Sequence, residues 1–71
     1  MSTLRIRFGR RLRSIRRHKD LTQEQLAEAV GISVEFLSNI ERGINAPSFE
    51  TLEKLGEVLQ VSIHELFLFP E

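Results

Sequence analysis

Apolar residues recur at helical spacing along nearly the whole chain. In the first segment Leu4, Phe8, Leu12 and Ile15 follow at intervals of four, four and three, which places them on one helical stripe. Arg10, Arg13 and Arg17 fall opposite that stripe, and Arg16 sits on its edge. Gly9 costs this helix about 1 kcal/mol relative to alanine, which predicts a neighbouring helix passing close by. His18-Lys19-Asp20 is the break. Thr22 then reads as an N-cap, with Gln25 completing a capping box and Glu24 favouring the first-turn dipole. Leu26, Ala27 and Val30 share one face of this second helix. Gly31 ends it in the left-handed conformation that glycine adopts cheaply.

After a three-residue bend in which Ile32 points inward, Ser33 caps a third helix that runs to about Arg42 and stops at Gly43. Leu37 and Ile40 form its apolar face. The stretch from Gly43 to Pro47 is a loop. Ser48 caps a fourth helix with Phe49, Leu52, Leu55, Val58 and Leu59 predicted to face inward. Gln60-Val61 turns the chain, and Ser62 with Glu65 boxes a short last helix carrying Ile63, Leu66 and Phe67. Pro70 lies in the tail. Five helices and no convincing strand make this an all-α sequence. The second and third, joined by a tight bend, have the form of a helix-turn-helix, whose second helix can lie in a DNA major groove.

Length and composition narrow the picture further. With 71 residues there is room for one domain, residues 1–71. No cysteine is present, so helix packing rather than a disulfide or thiolate–zinc site must hold the core. No apolar run matches a membrane span and no signal-peptide core opens the chain, so a soluble cytoplasmic protein is expected. The net charge of zero by itself speaks against a nucleic-acid partner. The distribution says otherwise. Eight of the ten basic residues lie at or before Lys19, and all ten acids lie from Asp20 onward. Such a dipolar molecule can turn a basic face to phosphate, although an arginine-rich helix that is merely solvated reads equally well.

The segments LTQEQLAEAVGIS, FLSNIERG, APSFETLEKLGEVL and VSIHELF, in that order and with those gaps, closely resemble the Cro/cI-type (XRE family) helix-turn-helix transcriptional regulators. The resemblance runs from about Phe8 to Phe67 and implies a compact five-helix, lambda-repressor-like fold. It also implies an ion pair between Arg16 and Glu41. An arginine on the edge of an apolar stripe needs such a partner, and a bidentate carboxylate supplies it.

With Leu37 and Ile40 turned inward, Ser33, Val34, Glu35, Ser38, Asn39 and Arg42 face outward. The resemblance makes Val34, Glu35, Ser38 and Asn39 the base readers. Asn39 suits adenine, Val34 a thymine methyl, Glu35 cytosine N4, and Ser38 either kind of base. Glu35 reads equally as a helix-dipole partner and Val34 as a packing residue. Phosphate contacts are expected from Gln23 at the helix N-terminus, from Ser33, from Arg42, Gly43 and Asn45 as a second clamp, and from Arg16. Ile44 and Ala46 stand where polar residues are common in relatives, which weakens that clamp. Arg10 or Arg13 can add electrostatic pull, while most first-helix arginines read as solvated charge.

A single module of this size contacts few bases, so a homodimer on a palindromic operator is expected. The apolar tail, with Leu66, Phe67 and Phe69, is the candidate dimer interface. The competing reading folds Phe67 and Phe69 back onto the core. His18 and His64 lie near no serine or acid at catalytic spacing, and no metal-ligand cluster or glycine-rich phosphate loop occurs. Double-stranded DNA is therefore the expected partner, with no enzyme activity, cofactor, membrane or small-molecule ligand. The alternative is a protein-interaction module of the same fold, an antitoxin or adaptor that binds DNA weakly. Glu35 and the zero net charge lean that way.

Overall fold

Four hydroxyl side chains start four of the helices. In the computed structural model, which describes residues 3–70, the Oγ atoms of Thr22, Ser33, Ser48 and Ser62 accept the backbone N–H three residues on, at 3.0–3.1 Å. The Gln25 and Glu65 side chains reach back to accept the Thr22 and Ser62 N–H, closing two capping boxes. The helices that follow are α2 (Gln23–Val30), α3 (Val34–Glu41), α4 (Phe49–Leu59) and α5 (Ile63–Leu66). They are preceded by α1 (Thr3–His18), and no strand occurs among the described residues.

Leu12, Leu26, Leu37, Ile40, Leu55, Leu59 and Leu66 are fully buried where the five helices converge. Each such side chain stabilises by about 1.5–3 kcal/mol relative to exposure. Phe8, Ile15, Ala27 and Val30 complete this core. The α2–α3 bend is set by Gly31, at φ 88°, whose N–H and that of Ile32 both donate to the Ala27 carbonyl at 2.8 and 3.0 Å.

Gly9 lies where the end of α3 crosses α1. A Cβ at this position would meet the Ile40 carbonyl oxygen and lie 2.6 Å from that of Glu41. The absent side chain therefore permits the helix approach that its cost implies.

Three predicted core positions lie outside. Phe49 is 81% exposed and Leu4 54%, and Ile63 is also exposed. All three stand in the first turn of a helix. Phe49 falls at the margin of the α4 stripe, whose centre is filled by Leu52, Leu55 and Leu59. Leu4 opens α1, before Phe8 begins the buried stripe.

Two turns contain a feature the residue pattern does not reveal. Asp20 and Gln60 both adopt φ 58°, the left-handed region. Aspartate tolerates it, but glutamine has no local compensation for the clash of its Cβ.

Candidate nucleic-acid interface

Leu37 and Ile40 fix the orientation of α3 because both are fully buried. The opposite side then carries Val34, 38% exposed, with Glu35 exposed and Ser38 and Asn39 half-buried. The four candidate readers thus share the outer side of one short helix. Asn39 also has a structural task, since its backbone carbonyl accepts the N–H groups of Ile44 and Asn45 at 2.9 and 3.2 Å and shapes the loop after α3.

The end of α3 is held by a carboxylate hub. Glu41 accepts from Arg16 through both oxygens, Nε at 2.7 Å and Nη2 at 3.1 Å, in the bidentate geometry that suits guanidinium. The Gln23 amide donates to the same carboxylate at 3.0 Å, and Arg16 Nη1 donates to the Leu21 carbonyl at 2.8 Å. One ion pair therefore joins α1, the α1–α2 link, the start of α2 and the end of α3. Charges taken out of water in this way stabilise only when their bonding capacity is met, and no buried side-chain nitrogen or oxygen lacks a partner among the described residues.

This hub gives Arg16 a structural task. Arg16 is 7% exposed, and all three of its nitrogens are committed to Glu41 and Leu21. It serves as an interior strut, with three of its five N–H groups directed to Glu41 and Leu21. Gln23 is half-buried with its amide turned to Glu41. What it offers outward is its position at the first turn of α2. There the Gln23 and Glu24 N–H groups precede the first intrahelical bond, and the helix dipole favours an anion.

The second clamp is also reduced. Gly43 is buried at φ 78° against Ile6, and its N–H donates to the Ile40 carbonyl at 3.0 Å, so it has no group to give a phosphate. The Asn45 N–H is likewise used within the loop. The exposed Arg42 side chain and the half-buried Asn45 side chain remain. The Ser33 Oγ accepts from Phe36, which leaves its hydroxyl hydrogen free to donate outward.

Leu66 cannot serve as a dimer contact, since it is 0% exposed and plugs the core beneath α5. Phe67 stacks on Phe8 with ring centres 4.9 Å apart. Phe69 meets Phe67 edge-on at 6.2 Å, and the Arg7 guanidinium covers Phe69 at 4.7 Å. The tail folds back because its rings complete an aromatic cluster that α1 begins. The apolar surface left open lies elsewhere. A cleft of about 380 Å³ between the first turns of α1, the loop after α3 and α4 is lined by Leu4, Phe8, Ala46, Pro47, Leu52 and Phe67. Exposed Phe49 precedes Leu52 by one turn of α4. Helical periodicity assigns Leu4 and Phe49 to the core and so conceals this surface. The signal available in the sequence is their place in the first turn of a helix.

Around the site, Glu65 is held below the ordinary carboxylate range. Its bond to the Ser62 backbone N–H is the main cause, and the charges of Arg11 and Lys19 add to it. Among the described residues no group of three or more acids, histidines or cysteines could hold a metal, and no helix is long and apolar enough to cross a membrane.

Comparison with known proteins supplies the family. The helix-turn-helix family model HTH_3 matches residues 12–66. The chain is 46% identical over 59 residues to the uncharacterized HTH-type transcriptional regulator YazB of Bacillus subtilis, covering 83% of this chain and 86% of that one. It is 41% identical over 60 residues to the transcriptional regulator SinR of the same organism, of which it spans about half, 54%. A structure of SinR, described as the master regulator for biofilm formation, in complex with DNA superposes with a TM-score of 0.78 at 40% identity, covering 83% of this chain and 95% of that one. The restriction-modification controller protein C.AhdI of Aeromonas hydrophila superposes with a TM-score of 0.84 at 37% identity, covering 87% of this chain and 94% of that one.

Proposed function

We propose, from the premise that this chain belongs to the HTH_3 helix-turn-helix family of DNA-binding transcriptional regulators, that it binds a palindromic operator as a homodimer. It acts in the cytoplasm as a repressor or autoregulatory controller, with residues 1–71 working as one domain. The observation that carries this reading is the two-sidedness of α3. Its inner face is fixed by Leu37, Ile40 and the Glu41 hub, while its outer face presents Val34, Glu35, Ser38 and Asn39. A helix so anchored can enter a major groove without losing any contact that holds the fold.

In this reading Asn39 pairs with adenine N6 and N7, and Val34 packs on a thymine methyl. Ser38 bonds either base type and Glu35 accepts from cytosine N4. The start of α2 at Gln23 grips one phosphate, and Ser33, Arg42 and the Asn45 side chain position the helix from other phosphates. Dimerisation is assigned to the open apolar surface of Leu4, Phe49 and the cleft that Phe67 helps to line, in place of Leu66 and Phe69.

Selection of bound duplexes from random DNA tests the whole reading. A two-fold sequence with half-sites about one helical turn apart is expected, with affinity falling steeply as salt rises. Asn39→Ala should cost about 1–3 kcal/mol and relax preference at one base position. Recovery of no common sequence would reject the proposal. It would favour the alternative of a protein-interaction module, for which exposed Glu35 on the reading face is the supporting observation.

A further inference from the structure

The seven arginines of α1 separate into two groups once their surroundings are known. Four are tied to the rest of the molecule. Arg5 donates to the Ile44 carbonyl, Arg7 covers Phe69, Arg11 donates to the Glu65 carbonyl and Arg16 joins Glu41. The other three, Arg10, Arg13 and Arg17, are exposed, and their side chains have neither an ion pair nor a hydrogen bond among the described residues. Spaced by three and four residues, they form one row, and like charges at that spacing repel. With Ser14 and His18 they line a shallow depression of about 240 Å³. A row of unneutralised guanidinium groups around a concavity is suited to an anion carrying several charges.

The position of the row identifies that anion. Successive residues of an α-helix are turned by about 100°. Gly9 and Arg16, which abut the Ile40–Glu41 turn, and Ile6, which abuts Gly43, mark the side of α1 facing the end of α3. Arg13 falls between those markers on the helix circumference, and Arg17 and Arg10 lie just beyond. Along its length, α1 runs from Gly43 at one end to Leu21 and Gln23 at the other, where Arg16 meets the start of α2. The row therefore flanks the helix-turn-helix and leads to the α2 terminus that is proposed to grip phosphate. From Arg10 to Arg17 it spans about 10.5 Å, against one phosphate per about 3.4 Å of axis on each DNA strand.

Resting on the DNA reading above, we propose that Arg10, Arg13 and Arg17 form a second, sequence-independent binding face that holds the phosphodiester backbone flanking the bases read by α3. It lengthens the footprint without adding to the bases recognised. It also explains how a protein of zero net charge can hold a polyanion, because the positive charge is concentrated on the one helix beside the groove-entering pair.

The test uses a duplex selected with the wild-type protein, in one form cut at the edge of the recognised bases and in another extended by flanking base pairs. Binding of wild type and of the R10Q/R13Q/R17Q variant is followed by fluorescence anisotropy over a salt series. The wild type should prefer the extended duplex. The variant should lose that preference and show a slope of log affinity against log salt shallower by roughly two to three, with its base preference unchanged. R10K/R13K/R17K, which keeps the charge, should retain the slope. Circular dichroism of both variants should match wild type, since no described contact is removed. Equal slopes for wild type and the glutamine variant would overturn the proposal while leaving the DNA reading intact. So would equal DNA binding with polyglutamate retained by wild type alone, which assigns the face to an acidic protein. Failure of the wild type to select any sequence would remove the DNA reading itself and this proposal with it.

Discussion

The two ends of α1 meet the rest of the protein in opposite ways. Towards its C-terminus, Arg16 enters a closed seam with Glu41, Gln23 and Leu21, and no buried side-chain nitrogen or oxygen lacks a partner among the described residues. Near its N-terminus, Leu4 lines an apolar cleft, and Phe49 at the start of α4 stands in solvent. The closed end fixes geometry, because a charge pair out of water tolerates little displacement. The open end has unspent burial to offer a partner, which is the property expected of an association surface. One helix thus separates a closed polar seam from the open apolar surface to which dimerisation is assigned in the proposal.

The largest way to break this contrast is at the closed end. Glu41→Ala leaves the Arg16 guanidinium buried without its counter-charge and should destabilise the fold by about 3–5 kcal/mol, read as a lower denaturant midpoint. A loss below about 1 kcal/mol would mean that the pair is solvated and that the seam is not closed. At the open end, Phe49→Ser should leave the monomer as stable as before. It should weaken self-association by about 2 kcal/mol or more if this ring is a central anchor, measured by sedimentation equilibrium. Unchanged association would move the interface away from α4.

Smaller effects sharpen the picture away from both ends. Gln60→Gly relieves the left-handed backbone after α4 and should raise stability by about 0.5–1 kcal/mol, the relief being partly offset by the greater freedom of glycine in the unfolded chain. The smallest effect concerns Glu65. Its carboxyl is held low when folded, so its stabilising contribution is present above the unfolded value and is lost as pH falls through the folded one. Glu65→Gln should therefore flatten the acid limb of stability as pH falls below the ordinary glutamate value of 4.5. An identical limb would show that the capping box contributes nothing through its charge.

The five helices are legible in the sequence because their signals are local. Thr22, Ser33, Ser48 and Ser62 announce helix starts, and Gly31 announces a stop within the same few residues that form it. Gly9 predicts a close crossing because glycine inside a helix is costly unless two backbones need the space of its missing side chain. Sequence and structure part where the decisive partner is distant along the chain. The pattern around Arg16 allows both an ion pair and a phosphate contact, and only the geometry shows that each of its nitrogens already donates to Glu41 or Leu21. Gly43 resembles a phosphate contact because nothing in its neighbours reveals that its N–H turns back to Ile40. Phe49 and Leu4 obey helical periodicity, but periodicity records direction around an axis and is silent about where the opposing layer stops. The Gln60 conformation leaves no mark because glutamine is an unfavourable choice for it.

The anchoring of α3 through one side only has a consequence for heritable change. Substitutions at Val34, Glu35, Ser38 and Asn39 alter side chains on which the interior does not depend. On the proposed reading of α3, a descendant chain can therefore acquire new target sites through a few codon changes at this surface without first accumulating compensating mutations in the scaffold.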